Sequence, residues 1–365
     1  MTRTLSRPEL IAWTRLARTP RIGPLTFHRL IARFRTAAAA LEALPRVSNL
    51  SAPPEERAHA EIEGVEALGG RLIACCEPDY PPLLAQLDAP PPVIALRGDA
   101  KWLKAPTIAI VGSREGSGSA LLFAERLAAD LGAAGYAIVS GLARGVDAAA
   151  HRGALATGTV GVLAGGLDHP YPPQNLKLHD ALCERGAVIS EAPLGSVPRA
   201  RDFPRRNSII SGVSRAVVII EAALRSGSLI TARAAADQGR DVMAAPGSPV
   251  DPRARGSNAL IKQGATLIED ASDVIAALGE SAPPLRPLSA GPLFADTETA
   301  PLPPGLPKKV AALLSPTPIH VNDLARLLET PAGAVAAALT ELELDGQAAS
   351  LPGGYAALAR AAFKD

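Results

Sequence analysis

Four arginines, Arg199, Arg201, Arg205 and Arg206, fall within eight residues around a single phenylalanine, Phe203. A guanidinium stays charged and forks onto phosphate oxygens, while an exposed phenyl face accepts a stacked base, so the segment carries the chemistry of single-stranded nucleic acid. Pro204 is expected to hold Phe203 in an extended, preset backbone. The same residues also suit a solvated charged loop whose phenylalanine caps the core. Arg114 ends an apolar run, and if it faces the same edge as Phe203 the two segments border one pocket.

A second set of residues gathers at the ends of short β-branched runs: Gly112 and Ser113, Ser140 and Gly141, Gly165 and Gly166, and Ser226-Gly227-Ser228 after Glu221. Glycines let a backbone approach a ligand, and free amides at the following helix starts favour anions. Each turn alone is explained by the need to reverse the chain. Four together point to a phosphate-facing edge. The anion is not a dinucleotide cofactor, because residues 112–118 read GSREGSG rather than GxGxxG and no acidic residue closes the second run. It is not a nucleoside triphosphate held by a P-loop, because no GxxxxGK[ST] occurs. Asp147 and His151 lie one helical turn apart, a spacing read here as a structural hydrogen bond at a helix start, and Glu221 is read as an ion-pair partner. No catalytic residue is assigned. Three cysteines and six scattered histidines form neither a disulfide framework nor a metal-ligand spacing, so no metal or other cofactor is expected.

The elements that must position these residues follow from periodicity. Residues 6–70 show apolar positions at three-and-four spacing and read as a small helical domain over 1–70. Its Ile22-Gly23-Pro24 turn resembles a helix-hairpin-helix or SAM-like element, with a packing role placed first. From Arg71 the texture changes to short aliphatic strands alternating with amphipathic helices, which specifies an α/β, Rossmann-like, doubly wound and mostly parallel sheet over 71–280. Residues 281–305 hold seven prolines in twenty-five positions and read as an extended linker. Residues 306–365 carry three helical segments and a final hairpin, the pattern of a winged helix. That segment has five Lys or Arg against six Asp or Glu, net −1, which favours protein contact over duplex DNA. The whole 365-residue chain is nearly neutral at +1, so any phosphate contact comes from a local patch. No run of eighteen apolar residues and no signal peptide is present, and a cytoplasmic protein without a membrane span is expected.

Taken together, VGSR (111–114), SGLARGVDAAAHRGAL (140–155), GGLDHPYPPQN (165–175), ISEAP (189–193), FPRRNSIISG (203–212), VVIIEAALRSGSLITARAAADQGRDVMAAPG (217–247) and GSNALIKQGA (256–265) resemble the DNA-processing protein A family, DprA or Smf. The resemblance runs nearly continuously from Pro78 to Leu278. It implies binding and protection of incoming single-stranded DNA during natural transformation, loading of the RecA recombinase, pairing of two Rossmann-like domains in a homodimer, and no nucleotide cofactor. Carried over residue by residue, it implies a DNA pocket of Arg114, Lys177, Phe203, Arg205 and Asn207, to which local charge adds Arg199, Arg201 and Arg206. It also implies self-association through Leu260 and Ile261. Where the family continues RNR this chain has Ser208 after Asn207, and Arg206 or Arg201 is the candidate replacement.

Two other functions compete. One is a nucleoside-monophosphate phosphoribohydrolase, to whose PGGxGTxxE motif residues 225–231 are comparable, except that Thr231 stands where the catalytic glutamate would. The other is a duplex-DNA regulator acting through the winged helix, against which the acidic balance of that segment speaks.

Overall fold

The computed structural model describes residues 3–48, 50–279 and 303–359. Most of the proline-rich segment expected as a linker, residues 281–302, lies outside them.

Four helices open the chain: Arg7–Ala17, Pro24–Phe34, Ala37–Val47 and Glu55–Ala67. The first is started by Ser6, whose backbone N–H and hydroxyl both donate to the Glu9 carboxylate at 2.8 Å. Those bonds and Arg3 hold the Glu9 carboxyl down to about 2. Twelve strands follow: β1 (Gly70–Ala74), β2 (Val93–Gly98), β3 (Thr107–Gly112), β4 (Ala137–Ser140), β5 (Thr159–Leu163), β6 (Ala187–Ser190), β7 (Ala216–Ile220), β8 (Asp241–Ala244), β9 (Thr266–Leu267), β10 (Ile319–His320), β11 (Ala348–Leu351) and β12 (Tyr355–Leu358). The first nine form one sheet in the order β1-β2-β6-β5-β4-β3-β7-β8-β9. From β6 to β9 every pairing is parallel, while β2 runs antiparallel to both β1 and β6.

The reason for a parallel sheet is visible residue by residue. In β3, Ile108 and Ile110 pack on one face while Ala109 and Val111 pack on the other, and all four are buried. In β7 the same division separates Ala216, Val218 and Ile220 from Val217 and Ile219. A strand buried on both faces reads as a continuous aliphatic run, and the connecting helices supply the covering layers. Chain order leaves β3 in the middle: the chain first winds outward through β4, β5 and β6, then returns to add β7, β8 and β9 on the other side of β3.

The helical segment does not stand apart from this sheet. Trp13 and Phe27 meet edge to face at 5.0 Å, and their cluster includes Leu72 and Ala74 of β1, Val93 and Ala95 of β2, and Val188 of β6. The Trp13 indole N–H donates to the Pro92 carbonyl at 2.7 Å. One apolar cluster thus covers the four helices and the antiparallel end of the sheet.

After residue 302 come the helices Leu306–Leu313, Val321–Leu327 and Ala332–Leu344 and a small sheet ordered β10-β12-β11, a winged helix. It is fastened by Arg253, which pairs with buried Asp251 at 3.0 Å and donates to the Leu314 and Ala312 carbonyls at 2.8 and 3.2 Å. Arg326 reaches back to Glu125 at 3.1 Å. Among the described residues no helix is long and apolar enough to cross a membrane.

Asp147 and His151 are structural, as read from their spacing. Asp147 accepts the amides of Gly141 and Ala143, at the start of helix Val146–Ala154. His151 is fully buried, with Nδ1 at 2.7 Å from the Thr159 hydroxyl and the Leu142 amide directed at Nε2. Thr159 already donates to the Ile138 carbonyl, so the imidazole proton sits on Nδ1 and Nε2 accepts. Burial first, and the Arg206 charge second, push this histidine down to about 3. In the unfolded chain it takes up a proton near pH 6.5, and the folded state refuses it. Stability supplied by neutral His151 is therefore present above about pH 6.5 and falls, by up to about 1.4 kcal/mol per unit, as the pH drops toward 3. Urea denaturation across that range should show a shallower pH slope for His151→Gln than for the parent; equal slopes would mean that the residue does not titrate as described.

Candidate nucleic-acid interface

A cleft of about 590 Å³ opens beyond the carboxyl ends of β3 and β7, where the direction of winding reverses. This is the place at which open α/β sheets bind ligands, because two neighbouring loops there leave in opposite directions. One wall is the turn Gly112-Ser113-Arg114 after β3. A second is the Arg225-Ser226-Gly227-Ser228 turn that starts helix Ser228–Asp237. A third is helix Asp202–Gly212, which presents Phe203, Arg206, Asn207 and Ile210.

From Asp202 the arginine-rich segment is thus helical, not extended, with Arg199 and Arg201 just ahead of the helix. Pro204 lies in the first turn, where its missing N–H costs nothing because first-turn amides have no intrahelical acceptor. The start of the helix and the helical spacing after it divide the segment. Phe203, Arg206 and Asn207 face the cleft, while Arg199, Arg201 and Arg205 line a second groove on the other side, which Arg206 also borders. Arg205 pairs there with buried Glu191.

Two guanidinium groups approach the Phe203 ring: that of Arg114 at 5.1 Å from its centre and that of Arg206 at 5.6 Å. Arg114 is exposed, so a planar ligand can displace it from the ring or slide between them. Arg206 is only 6 % exposed. It donates to the Gly141 carbonyl and, at 3.1 Å, to that of Val162. Burial pulls its pKa down to about 10, opposed by the Asp147 charge, so it remains a cation at neutral pH. Arg206 therefore braces the cleft from beneath, which differs from the direct phosphate contact that local charge suggested. A buried guanidinium satisfied by strand-end carbonyls is not free to follow a ligand.

This buried cation also accounts for one residue assigned from sequence to anion approach, and strand contacts account for two more. A Cβ on Gly141 would stand 1.6 Å from the Arg206 Nη1, so the glycine makes room for the guanidinium. Ser140 is buried and donates its hydroxyl to the Ile110 carbonyl at 2.6 Å. At Gly112, a Cβ would lie 1.9 Å from the Ile220 carbonyl oxygen of β7, so close strand pairing as well as the cleft requires it. Ser113, Ser226, Gly227 and Ser228 do line the cleft. The Ser228 amide is directed at the Ser226 hydroxyl at 3.3 Å, and the Leu229 amide at the Ser226 carbonyl at 3.2 Å, so that turn is internally bonded. Asn207 donates to the Gly227 carbonyl at 3.3 Å and ties the two walls together.

Two residues near Phe203 escaped the sequence reading. Arg225 is exposed and lines the cleft, and Tyr171, 51 % exposed and outside the lining of the cleft, meets the Phe203 ring edge-on at 6.0 Å. Each stands alone in sequence, without the clustering that drew attention to residues 199–206. Lys177 is exposed on helix Leu176–Arg185 and does not line the cleft. Glu221 accepts the Ser117 amide at 2.6 Å and faces Arg253 at 3.9 Å, on the side of the winged helix. Leu260 and Ile261 lie on helix Arg255–Lys262, half-buried against the sheet core. Among the described residues no cluster of His, Cys, Asp or Glu is arranged to hold a metal.

The strand-end cleft, the helical layer on one sheet face and the docked winged helix define a doubly wound α/β protein of the DNA-processing class. Three family models match in chain order: a DprA-like N-terminal HHH domain over residues 7–64, DNA recombination-mediator protein A over 71–279, and the DprA winged helix domain over 295–354. The chain belongs to the DNA recombination-mediator protein A family, DprA or Smf. It is 36 % identical over 313 residues to Protein Smf of Escherichia coli, covering 84 % of this chain and 83 % of that one. It is 40 % identical over 215 residues to DNA processing protein DprA of Bacillus subtilis, covering 58 % and 72 %. Among solved structures it is similar to DNA processing protein A of Streptococcus pneumoniae, with TM-score 0.58 and 34 % identity over 70 % of this chain and 87 % of that one. It is also similar to DNA processing protein A from Helicobacter pylori, described for its single-stranded DNA binding mode, with TM-score 0.53 and 29 % identity over 57 % and 95 %.

Burial already pushes the Asp147 carboxyl up, and removing Arg206 takes away the larger of the two cationic influences, Arg206 ahead of Arg114, that oppose this. Arg206→Ala should lose about 3–5 kcal/mol of unfolding free energy by chemical denaturation. Arg114→Ala, at an exposed position, should stay within about 0.5 kcal/mol of the parent. Similar losses in the two variants would contradict the division between brace and contact.

Proposed function

We propose that this protein binds single-stranded DNA in the cleft between β3 and β7, without sequence preference and without catalysis. The observation that carries this reading is the meeting of Arg114, Phe203 and Arg225 around one cleft at the sheet's switch point, with Tyr171 against the edge of the Phe203 ring. Guanidinium groups of Arg114 and Arg225 take phosphate oxygens, and the Phe203 ring supplies a face for a base, with Tyr171 holding its edge. Asn207 positions the Ser226-Gly227-Ser228 turn against the strand. Arg199 and Arg201, just ahead of helix Asp202–Gly212, and Arg205 on its far flank meet the strand as it leaves the cleft, and Lys177 adds to the same field. The relative from Helicobacter pylori, whose single-stranded DNA binding mode is described, supports the choice of ligand.

In the cell this binding serves protection of incoming DNA and its hand-over to the RecA recombinase during transformation or recombination, as the family membership suggests. The binding unit is a homodimer paired through helix Arg255–Lys262, where Leu260 and Ile261 retain partial exposure, together with the edge strand β9, whose Leu267 is 44 % exposed. An edge strand with an exposed leucine is a surface that pairing would cover.

Oligo-dT titrations should show tight binding that weakens linearly in log affinity with log salt. Phe203→Ala should lose about 1–3 kcal/mol, the value of one base stack, and Arg114→Ala should bind weakly and with a smaller salt slope. Variants that bind like the parent would move the site elsewhere. A protein ending at residue 279 should retain most of its single-strand affinity, whereas a large loss would place the site in the winged helix.

A further inference from the structure

A cavity of about 340 Å³ lies at the seam between the sheet and the winged helix. The sheet contributes Ile220 at the end of β7, Ala245 just after β8 and Ile268 just after β9. Helix Gly118–Ala133 contributes Ser119 and Phe123, and the winged helix contributes Ser315 and Thr317. The cavity sits at the carboxyl ends of the strands, as the Phe203 cleft does, yet the two share no lining residue. Its volume falls in the range of about 300–1,000 Å³ typical of small-molecule sites.

The chemistry of its lining differs from that of the cleft. Glu221, Asp251 and Glu269 border it, and none of the residues that line it is a lysine or arginine. The two buried carboxylates are already answered: Asp251 by Arg253 at 3.0 Å, and Glu221 by the Ser117 amide at 2.6 Å and Arg253 at 3.9 Å. An incoming phosphate therefore meets carboxylates and no free cation, while an incoming ammonium group finds the buried negative charge already balanced. What remains for a ligand is hydrogen bonding. The hydroxyls of Ser117, Ser119 and Ser315 form a row, with successive oxygens 3.1 and 3.3 Å apart, that crosses from the sheet to the winged helix. Ser248 and Thr317 add two more. A hydroxyl both donates and accepts, so such a row suits ligand hydroxyls in either sense, and the Glu221 carboxylate beside it accepts. Burial pushes the Glu221 carboxyl up, against the Ser117 bonds and the Arg253 charge, so a further hydroxyl donor is favourable there. Phe123, with Ile220 and Ile268, supplies an apolar wall for a planar group.

We propose that this seam is a binding site for a small uncharged polyhydroxylated molecule of the nucleoside class. The sugar hydroxyls bond Glu221 and the serine row, and the base lies against Phe123. Because Ser315 and Thr317 belong to the winged helix and the other lining residues to the sheet domain, an occupant fastens the two together. The same carboxylates that suit a sugar hydroxyl exclude a phosphorylated form, so the site discriminates a nucleoside from its nucleotide.

The test is equilibrium dialysis of the full-length protein against adenosine, uridine and AMP. At least one of the two nucleosides should saturate at one per chain, and AMP should bind at least about tenfold more weakly than adenosine, since like charges brought together cost several kcal/mol. Glu221→Gln, which can still accept the Ser117 amide, should weaken nucleoside binding several-fold. Ser248→Phe, at a half-buried position, fills the cavity and should abolish it. The bound nucleoside should also raise the melting temperature of the parent but not of Ser248→Phe, because a ligand stabilises only the form that binds it. Phe203→Ala separates this cavity from the DNA cleft and should bind nucleoside like the parent. Absence of saturable binding, AMP binding as tight as adenosine, or parental affinity in both Glu221→Gln and Ser248→Phe would each overturn the proposal. Loss of nucleoside binding in Phe203→Ala would overturn it too, by placing the nucleoside in the other cleft.

Discussion

One buried guanidinium sets the geometry of the cleft. Arg206 joins the ends of β4 and β5 through the Gly141 and Val162 carbonyls, balances the buried Asp147 carboxylate and lies against the ring of Phe203. A cation this far from water is tolerable only where carbonyls and an opposite charge replace its hydration, and here each replacement comes from a different element. That requirement fixes Gly141 as a residue without a side chain and fixes the depth at which helix Asp202–Gly212 meets the sheet. The exposed Arg114 and Arg225 then stand at the surface of a cleft whose floor is tied by buried hydrogen bonds.

The sheet was legible because its strands are short, aliphatic and separated by amphipathic helices, so the burial of both faces of β3 and β7 follows from their composition. The antiparallel pair β1 and β2 carries the same residue types as the parallel strands, and direction leaves no mark on composition. The seam between the helical segment and the sheet was also invisible. Residues 1–70 read as a small helical domain, and only the fold shows Trp13 and Phe27 sharing a cluster with β1, β2 and β6. The attachment of the winged helix through Arg253 had no signal at all, because its partners are the backbone carbonyls of Ala312 and Leu314.

Charge density singles out the start of helix Asp202–Gly212, but not how the arginines there divide between the two grooves. Four arginines in eight residues look alike in sequence, whereas the fold leaves Arg199 and Arg201 ahead of the helix, turns Arg205 and Arg206 to different sides of it and buries Arg206. Ser140 and Gly141 looked like ligand-facing turn residues because their types are the same whether a phosphate or a guanidinium fills the space. Tyr171 and Arg225 are brought to Phe203 from 32 positions before and 22 positions after it, by connections that no local pattern reveals.

The scarcity of aromatic residues has an optical side. Of the two tryptophans, Trp13 lies at the seam between the helical segment and the sheet, its indole bonded to the Pro92 carbonyl. Trp102 packs against Gly158, just before β5 begins, at the end of the parallel strands opposite the cleft. Neither indole borders Phe203. The intrinsic emission of this protein is accordingly a gauge of whether the helical hairpin remains seated on the sheet, and it stays dark to a base entering the cleft, so docking and occupancy report through separate channels.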